Sequence, residues 1–264
     1  MKKTVTAISV ILILLLMSPY SWAKRYKVIQ VKNGGILKGK VVTAVKVKDP
    51  IIPIKISPRE KPEDAKKIRQ TCGTSQKANM YLISPDGGVK NVIVAITDIK
   101  AGKAAPKKDY VINNKDCRFD PLVGIAYVRG KYVIKNSDPI LHNTSLGKIV
   151  RKGVRRTIYN IALPYKDQVV KKRNRVSGLI DVKCDAHAWM RAYVYSSKHP
   201  YVAITDDRGN FEIRDIPPGT YTVLFWHEGF QQVKKKVTIK PGKVTTIKVT
   251  FTKTREPDFM KRLK

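Results

Sequence analysis

Turn-forming clusters interrupt this chain at short, near-regular intervals, and that punctuation limits what it can fold into. Asn33-Gly34-Gly35, Pro85-Asp86-Gly87-Gly88, Asp207-Arg208-Gly209-Asn210, Pro217-Pro218-Gly219 and Pro241-Gly242 combine residues suited to tight turns. Between them lie short runs rich in β-branched and aromatic residues. They predict strands at Lys40–Val47, Asn91–Ile96, Lys131–Lys135, Thr157–Leu163, Leu179–Val182, Arg191–Tyr195, Tyr201–Thr205 and Tyr221–Trp226, with two more around Val233–Ile239 and Val244–Phe251. In the last, Ile247, Val249 and Phe251 alternate with Lys248 and Thr250, so one face is buried and the other is wet and basic. Helix signals are confined to Pro62–Gln70, with Glu60, Glu63 and Asp64 near its start. The predicted fold class is all-β, a sandwich or barrel. Hydrophobic residues make up 42% of the 264, enough to bury a core, and the length allows one or two domains.

The first residues predict export. Lys2-Lys3 is a short positive region, Val5 to Met17 is almost wholly apolar, and Ser21-Trp22-Ala23 supplies small residues for a cleavage site. A secretory signal peptide over 1–23, cut after Ala23, is the expectation. The alternative, an uncleaved anchor, would need a longer apolar run. No later run is long and apolar enough to anchor the cleaved chain in a membrane. The cleaved protein is expected in a periplasmic or extracellular, oxidising space. The remainder divides into N-terminal strands and a Pro-containing linker (24–60), a first sandwich (61–197), a smaller β module (198–252) and a basic tail (253–264).

In that setting three cysteines are an odd number. Cys72 and Cys117 lie in polar, turn-rich stretches and are the expected disulfide. Cys184 lies among His187 and Met190. The run Cys184-Asp185-Ala186-His187-Ala188-Trp189-Met190 places thiolate, imidazole and thioether as C-x2-H-x2-M on a loop between two predicted strands. His142-Asn143 follows the turn Asn136-Ser137-Asp138-Pro139, 42 residues before Cys184. Neighbouring strands of a Greek-key sandwich would bring the two together.

Two imidazoles, a thiolate and a weak thioether form a selective ligand set. Soft sulfur suits copper, and a trigonal His2Cys arrangement with a long axial Met is that of electron-transfer copper sites. Zinc would take Cys184, His142 and His187 but has little use for Met190. Asn143 is placed to hydrogen-bond the thiolate or to tie the two ligand segments together. Each residue also has an ordinary reading: Met190 and Trp189 as core, His187 as a loop histidine, Cys184 as a buried thiol.

The stretch Asn136-Ser137-Asp138 … His142-Asn143 … Cys184-Asp185-Ala186-His187-Ala188-Trp189-Met190 resembles the plastocyanin/azurin-like cupredoxins. More narrowly, the chain resembles exported cupredoxin-like proteins that carry a carboxypeptidase regulatory-like (transthyretin-like) domain behind the copper loop. Gly87-Gly88-Val89-Lys90-Asn91-Val92, Cys117-Arg118-Phe119-Asp120-Pro121, His199-Pro200-Tyr201 and Pro217-Pro218-Gly219-Thr220-Tyr221 extend the likeness. It implies a Greek-key cupredoxin-like sandwich at 61–197, a transthyretin-like module at 198–252, and one mononuclear copper held by His142, Cys184, His187 and Met190. Two features depart from the family: Ala188 stands where Pro is common, and Leu146 to Arg175 is unusually basic.

Catalysis has no support in the sequence. There is no G-x-S-x-G, P-loop or C-x-x-C, and His227-Glu228 is followed by Gln231, not a zinc-helix histidine. The formal charge is +33, or +31 once residues 1–23 are removed. Dense spots fall at Arg151-Lys152, Arg155-Arg156, Lys171 to Arg175 and Lys234-Lys235-Lys236. Such a charge attracts anionic partners in a salt-dependent way. The expected partner is an acidic redox protein such as a cytochrome, or an anionic envelope surface. Nucleic acid is disfavoured, because no stacking aromatics are interleaved with the basic clusters. The readings are an electron-transfer copper protein, a non-redox envelope scaffold, or a copper storage or delivery protein.

Overall fold

The computed structural model describes residues 26–150 and 154–263. The expected signal peptide and the pair Arg151-Lys152 lie outside the described residues. The chain runs through β1 (Lys27–Val28), β2 (Gly35–Thr43), β3 (Ile51–Pro53), α1 (Pro62–Cys72), β4 (Ser75–Lys77), β5 (Ile93–Ile96) and β6 (Ala101–Gly102). It continues with β7 (Tyr110–Lys115), β8 (Arg118–Asp120), β9 (Val123–Tyr127), β10 (Lys131–Asn136), β11 (His142–Ile149), β12 (Arg155–Leu163), β13 (Val169–Arg173), β14 (Gly178–Lys183) and β15 (Arg191–Ser197). It ends with β16 (Val202–Ile204), β17 (Asn210–Ile216), β18 (Gly219–Trp226), β19 (Val233–Ile239), β20 (Val244–Phe251) and α2 (Asp258–Leu263). The fold is all-β, with α1 where the helix signals placed it. Among the described residues, no helix is long and apolar enough to cross a membrane.

Four larger sheets form two sandwiches. The first pairs the sheet β13-β10-β7-β8 with the sheet β12-β11-β14-β15-β9. Its core includes Ile112, Tyr132, Ile134, Leu146, Val182, Val194 and the free Cys184. The second pairs β16-β5-β18-β19 with β17-β2-β20 around Leu37, Val94, Phe211, Phe225 and Phe251. A third cluster of Ile93, Ala95, Val123, Tyr193, Val202 and Trp226 joins the two sandwiches. The period-2 rule explains how this works. On β5, Val94 and Ile96 face the second core while Ile93 and Ala95 face the junction. On β18, Val223 and Phe225 face the core while Leu224 and Trp226 face the junction. Strands buried on both faces need a continuous apolar run, and Ile93-Val94-Ala95-Ile96 is one.

Two expectations about organisation are corrected. The divisions 24–60, 61–197 and 198–252 do not follow the sheets. β2 lies between β17 and β20, pairing with β20 in parallel from Ile36↔Val244 to Thr43↔Phe251, and β5 lies between β16 and β18. The second sandwich is therefore closed by strands from far upstream, because β20 and β17 leave a gap that only another strand can fill. The basic tail, described as far as residue 263, is also packed onto the fold. Thr254 bridges to Phe230, the Arg255 N–H donates to the Gly229 carbonyl (2.8 Å), and Phe259 is buried. An apolar residue that reaches a groove outweighs the charge around it.

Between the sandwiches, the Asp49 carboxylate accepts three backbone N–H groups, from Asn79, Met80 and Tyr81. This fixes the linker after β2 against the segment after β4. In the turn at 207–210, Gly209 adopts φ +78, and a β-carbon there would run into the Val41 carbonyl, which leaves no room for a side chain.

Candidate metal centre

The sheet register builds this site. β11 begins at His142 and runs antiparallel to β14, with Ser145 opposite Lys183 and Leu146 opposite Val182. β14 and β15 form a hairpin whose connection is the segment from Cys184 to Met190. The start of β11 and the end of β14 therefore meet at one end of the sandwich. The connection closes on itself: the Met190 N–H donates to the His187 carbonyl (3.0 Å), and the Cys184 N–H points to the Met190 carbonyl (3.4 Å).

His142, Cys184 and His187 converge there, with one ligand atom from each within 4.8 Å of the others. His142 Nδ1 and His187 Nδ1 lie 3.1 Å apart, and Cys184 Sγ lies 3.7 Å from His187 Nδ1. All three side chains are buried. Met190 is buried in the same core at the end of the loop. The Asn143 backbone N–H donates to Cys184 Sγ (3.3 Å), while its side-chain Oδ1 accepts the Asp185 N–H (3.3 Å) and its Nδ2 donates to Asn160 Oδ1 (2.6 Å). One residue thus contacts the sulfur and ties both ligand segments to β12.

Asp138 is the residue that sequence reasoning passed over. Its Oδ2 lies 2.8 Å from His142 Nε2. A carboxylate can only accept, so His142 carries its proton on Nε2 and turns the Nδ1 lone pair toward His187 and Cys184. The same carboxylate accepts the N–H groups of Asp116 (2.8 Å) and Cys117 (2.9 Å). These two residues form the two-residue turn between β7 and β8, both at positive φ (52° and 54°), a conformation that normally selects Asn-Gly. Asp138 therefore stabilises a strained turn and aims a ligand at once. The signal available in the sequence was a carboxylate four residues before a candidate histidine.

Cys117 also comes near His142 and Asp138, but its sulfur is bonded to Cys72, so it is no ligand. That disulfide links the end of α1 to the β7–β8 turn, as expected from the sequence. Cys184 is the free thiol. Trp189 packs its ring against His187 (4.8 Å between centroids) and donates from Nε1 to the Cys117 carbonyl (3.2 Å). The other two histidines are elsewhere. His199 lies against Ser197 and Tyr201, and His227 lies among Tyr81, Phe230 and Phe251.

Burial sets the protonation states. It pushes the Cys184 thiol above its usual range, against the N–H groups of Asn143, His187 and Ala186. Burial, then the neighbouring His142 ring, pushes His187 down to about 4. For Asp138 burial acts upward, but the bonds from His142, Cys117 and Asp116 outweigh it and hold the carboxyl below the usual range. Near neutral pH the site therefore offers an uncharged His187, a thiol that loses its proton when an ion binds, and one fixed anion behind His142. Two nitrogens and one sulfur, converging where all three side chains are buried, suit a soft or borderline metal ion.

Residues 191–252 match the carboxypeptidase regulatory-like domain family. The match begins on β15 and covers β16 to β20, while β2 and β5 complete the same sheets from upstream. No curated protein matches the chain. Similar solved structures include a mutant of amicyanin in the Cu(I) form, 14% identical, covering 35% of this chain and 86% of that one with a TM-score of 0.29. They also include a purple cupredoxin from Nitrosopumilus maritimus, 20% identical, covering 34% of this chain and 98% of that one with a TM-score of 0.29.

Proposed function

We propose that this chain is an exported mononuclear copper protein that carries electrons and has no catalytic activity of its own. The observation that carries the reading is the buried convergence of His142 Nδ1, His187 Nδ1 and Cys184 Sγ, with Asp138 orienting the first. His142, Cys184 and His187 would hold the ion, with Met190 as a fourth, weaker donor. Copper in such a donor set supplies a one-electron couple that keeps its ligands in both states. The chain's own residues do the rest. Asp138 fixes the His142 tautomer, the Asn143 N–H tempers the sulfur's charge, and Trp189 and the burial of the loop keep water out.

The spectrum of Cu(II)-loaded protein tests this. An intense thiolate-to-copper absorption band with a narrow EPR hyperfine splitting is expected, and Cys184→Ser abolishes both. Failure to take up copper would favour a non-redox scaffold, and rapid loss of the ion to a mild chelator would favour storage or delivery. The proposed redox partner is acidic. Its electron-transfer rate with the copper-loaded protein should fall as ionic strength rises, and a salt-independent rate would remove it. The proposed location is periplasmic or secreted, with a mature N-terminus at Lys24; N-terminal sequencing of the exported chain reads this directly.

A further inference from the structure

A second site lies on the first sandwich, at the opposite end of β10 from the metal centre. A surface cleft of about 580 Å³ is lined by Val128, Arg129, Lys131, Arg173, Asn174 and Arg175. Four of these six are cations, and no acid lines the cleft. The Asp109 carboxylate beside it accepts the Lys131 backbone N–H (2.9 Å) and not the ammonium. Among the described residues, none of the four cations is in an ion pair, whereas Lys38, Lys40, Lys90, Lys103 and Lys183 each have a carboxylate partner. Lys131 and Arg173 face each other directly across the β10–β13 pair, an unfavourable like-charge arrangement.

The backbone holds this arrangement rigidly. The Arg129 N–H donates to the Asn174 carbonyl and the Asn174 N–H to the Gly130 carbonyl, both at 2.8 Å. The buried Asn174 side chain donates to the Tyr127 carbonyl (3.1 Å) and Ser196 Oγ (2.7 Å). Arg129 adopts φ +79, a conformation that favours Gly or Asn. Protection of a sheet edge accounts for Lys171 and Lys172 on the edge strand β13. It does not account for Arg129, which lies on no strand, or for Arg175, beyond the end of β13.

We propose that this cleft, which offers no aromatic side chain for a base to stack on, binds a linear polyanion of the polyphosphate type, with phosphate groups along its chain and no bases. Three guanidinium forks suit phosphate oxygens. A single small anion would gain little at exposed, water-screened cations, so the site needs several charges engaged at once. A concave site admits a chain, where a bilayer would need a flat face. β10 spans roughly 16 Å at the usual strand rise, so such a ligand leaves the metal centre free, and the inference stands apart from the copper reading.

Long-chain polyphosphate is the probe, titrated into the mature protein over a salt series. Binding is expected, with an affinity that falls steeply with salt. The double variant Arg129→Gly/Arg175→Ser should weaken it at least tenfold and lower the log–log salt slope by roughly one to two. The charge-matched control Lys235→Ser/Lys236→Ser should leave affinity and slope unchanged. Because Gly suits the Arg129 conformation, the thermal midpoint should hold or rise, which separates lost binding from lost folding. Equal losses in both variants would reduce the effect to diffuse charge and overturn the site. So would absence of polyphosphate binding, orthophosphate binding as tightly as the polymer, or tighter Arg129-dependent binding to phosphatidylglycerol vesicles.

Discussion

Asp138 shows how much a single side chain can carry. It takes three donors, from the Asp116 and Cys117 backbone and from His142, while itself buried. Asp138→Asn keeps the shape but removes the charge and turns one acceptor into a donor. Metal affinity is expected to fall about 10- to 100-fold, and the apo-protein to lose about 1–3 kcal/mol. Metal titration and denaturant unfolding measure the two separately, and unchanged affinity would show that His142 is oriented by something else. The ligand types were legible in the sequence because C-x2-H-x2-M is a local pattern. Asp138 was not, because its importance comes from a turn whose strain appears only when β7 and β8 pair.

At the scale of elements, the basic clusters acquire a plain explanation. Arg155-Arg156 lies on β12, Lys171 to Arg173 on β13 and Lys234 to Lys236 on β19, and each of these strands is the edge of its sheet. Charged edges discourage pairing with a second chain, so much of the charge protects the sandwiches. Lys234→Val/Lys236→Val should cause concentration-dependent aggregation, followed by light scattering, with little change in the thermal midpoint. The Cys72–Cys117 bridge spans 45 residues of chain. Replacing both cysteines by Ser should cost about 4 kcal/mol on the chain-entropy model, read by denaturant unfolding. In the C-terminal segment Phe259 is buried, with its ring 3.9 Å from the Arg191 guanidinium. Phe259→Ala should cost about 3 kcal/mol and make residues beyond Thr254 sensitive to proteolysis.

At the scale of the molecule, the two sandwiches are joined by an apolar junction and a buried ion pair. Arg191 on β15 donates from Nε and Nη2 to Glu228, just past β18 (2.9 and 2.7 Å), and also to the Ala78 carbonyl. Glu228→Gln leaves a buried guanidinium unpaired and should cost about 3–5 kcal/mol. Global stability should also depend on acid. Burial pushes His187 and His199 down from 6.5 to about 4 and His227 down to about 3. The Gly229 N–H donates to His227 Nδ1, which a proton there would break. Their folded pKa values are lower than the unfolded value, so the unfolded chain binds more protons below pH 6.5. Stability is full above 6.5 and falls as pH drops toward 4, by roughly 1.4 kcal/mol per pH unit for each histidine. Unfolding of the metal-free protein from pH 7.5 to 4.5 checks this, and His227→Phe should flatten the slope.

The sequence by itself determined the all-β class, the disulfide partners, the odd thiol and the residue types of the candidate centre, because turn chemistry, alternation and spacing are properties of neighbours along the chain. Tertiary structure decided the rest. It recruited β2 and β5 into the second sandwich, seated Phe259, set Asp138 behind His142, and placed the basic runs at sheet edges. Each of these depends on which strands lie side by side, a choice made by the burial of whole faces that no local window of residues contains.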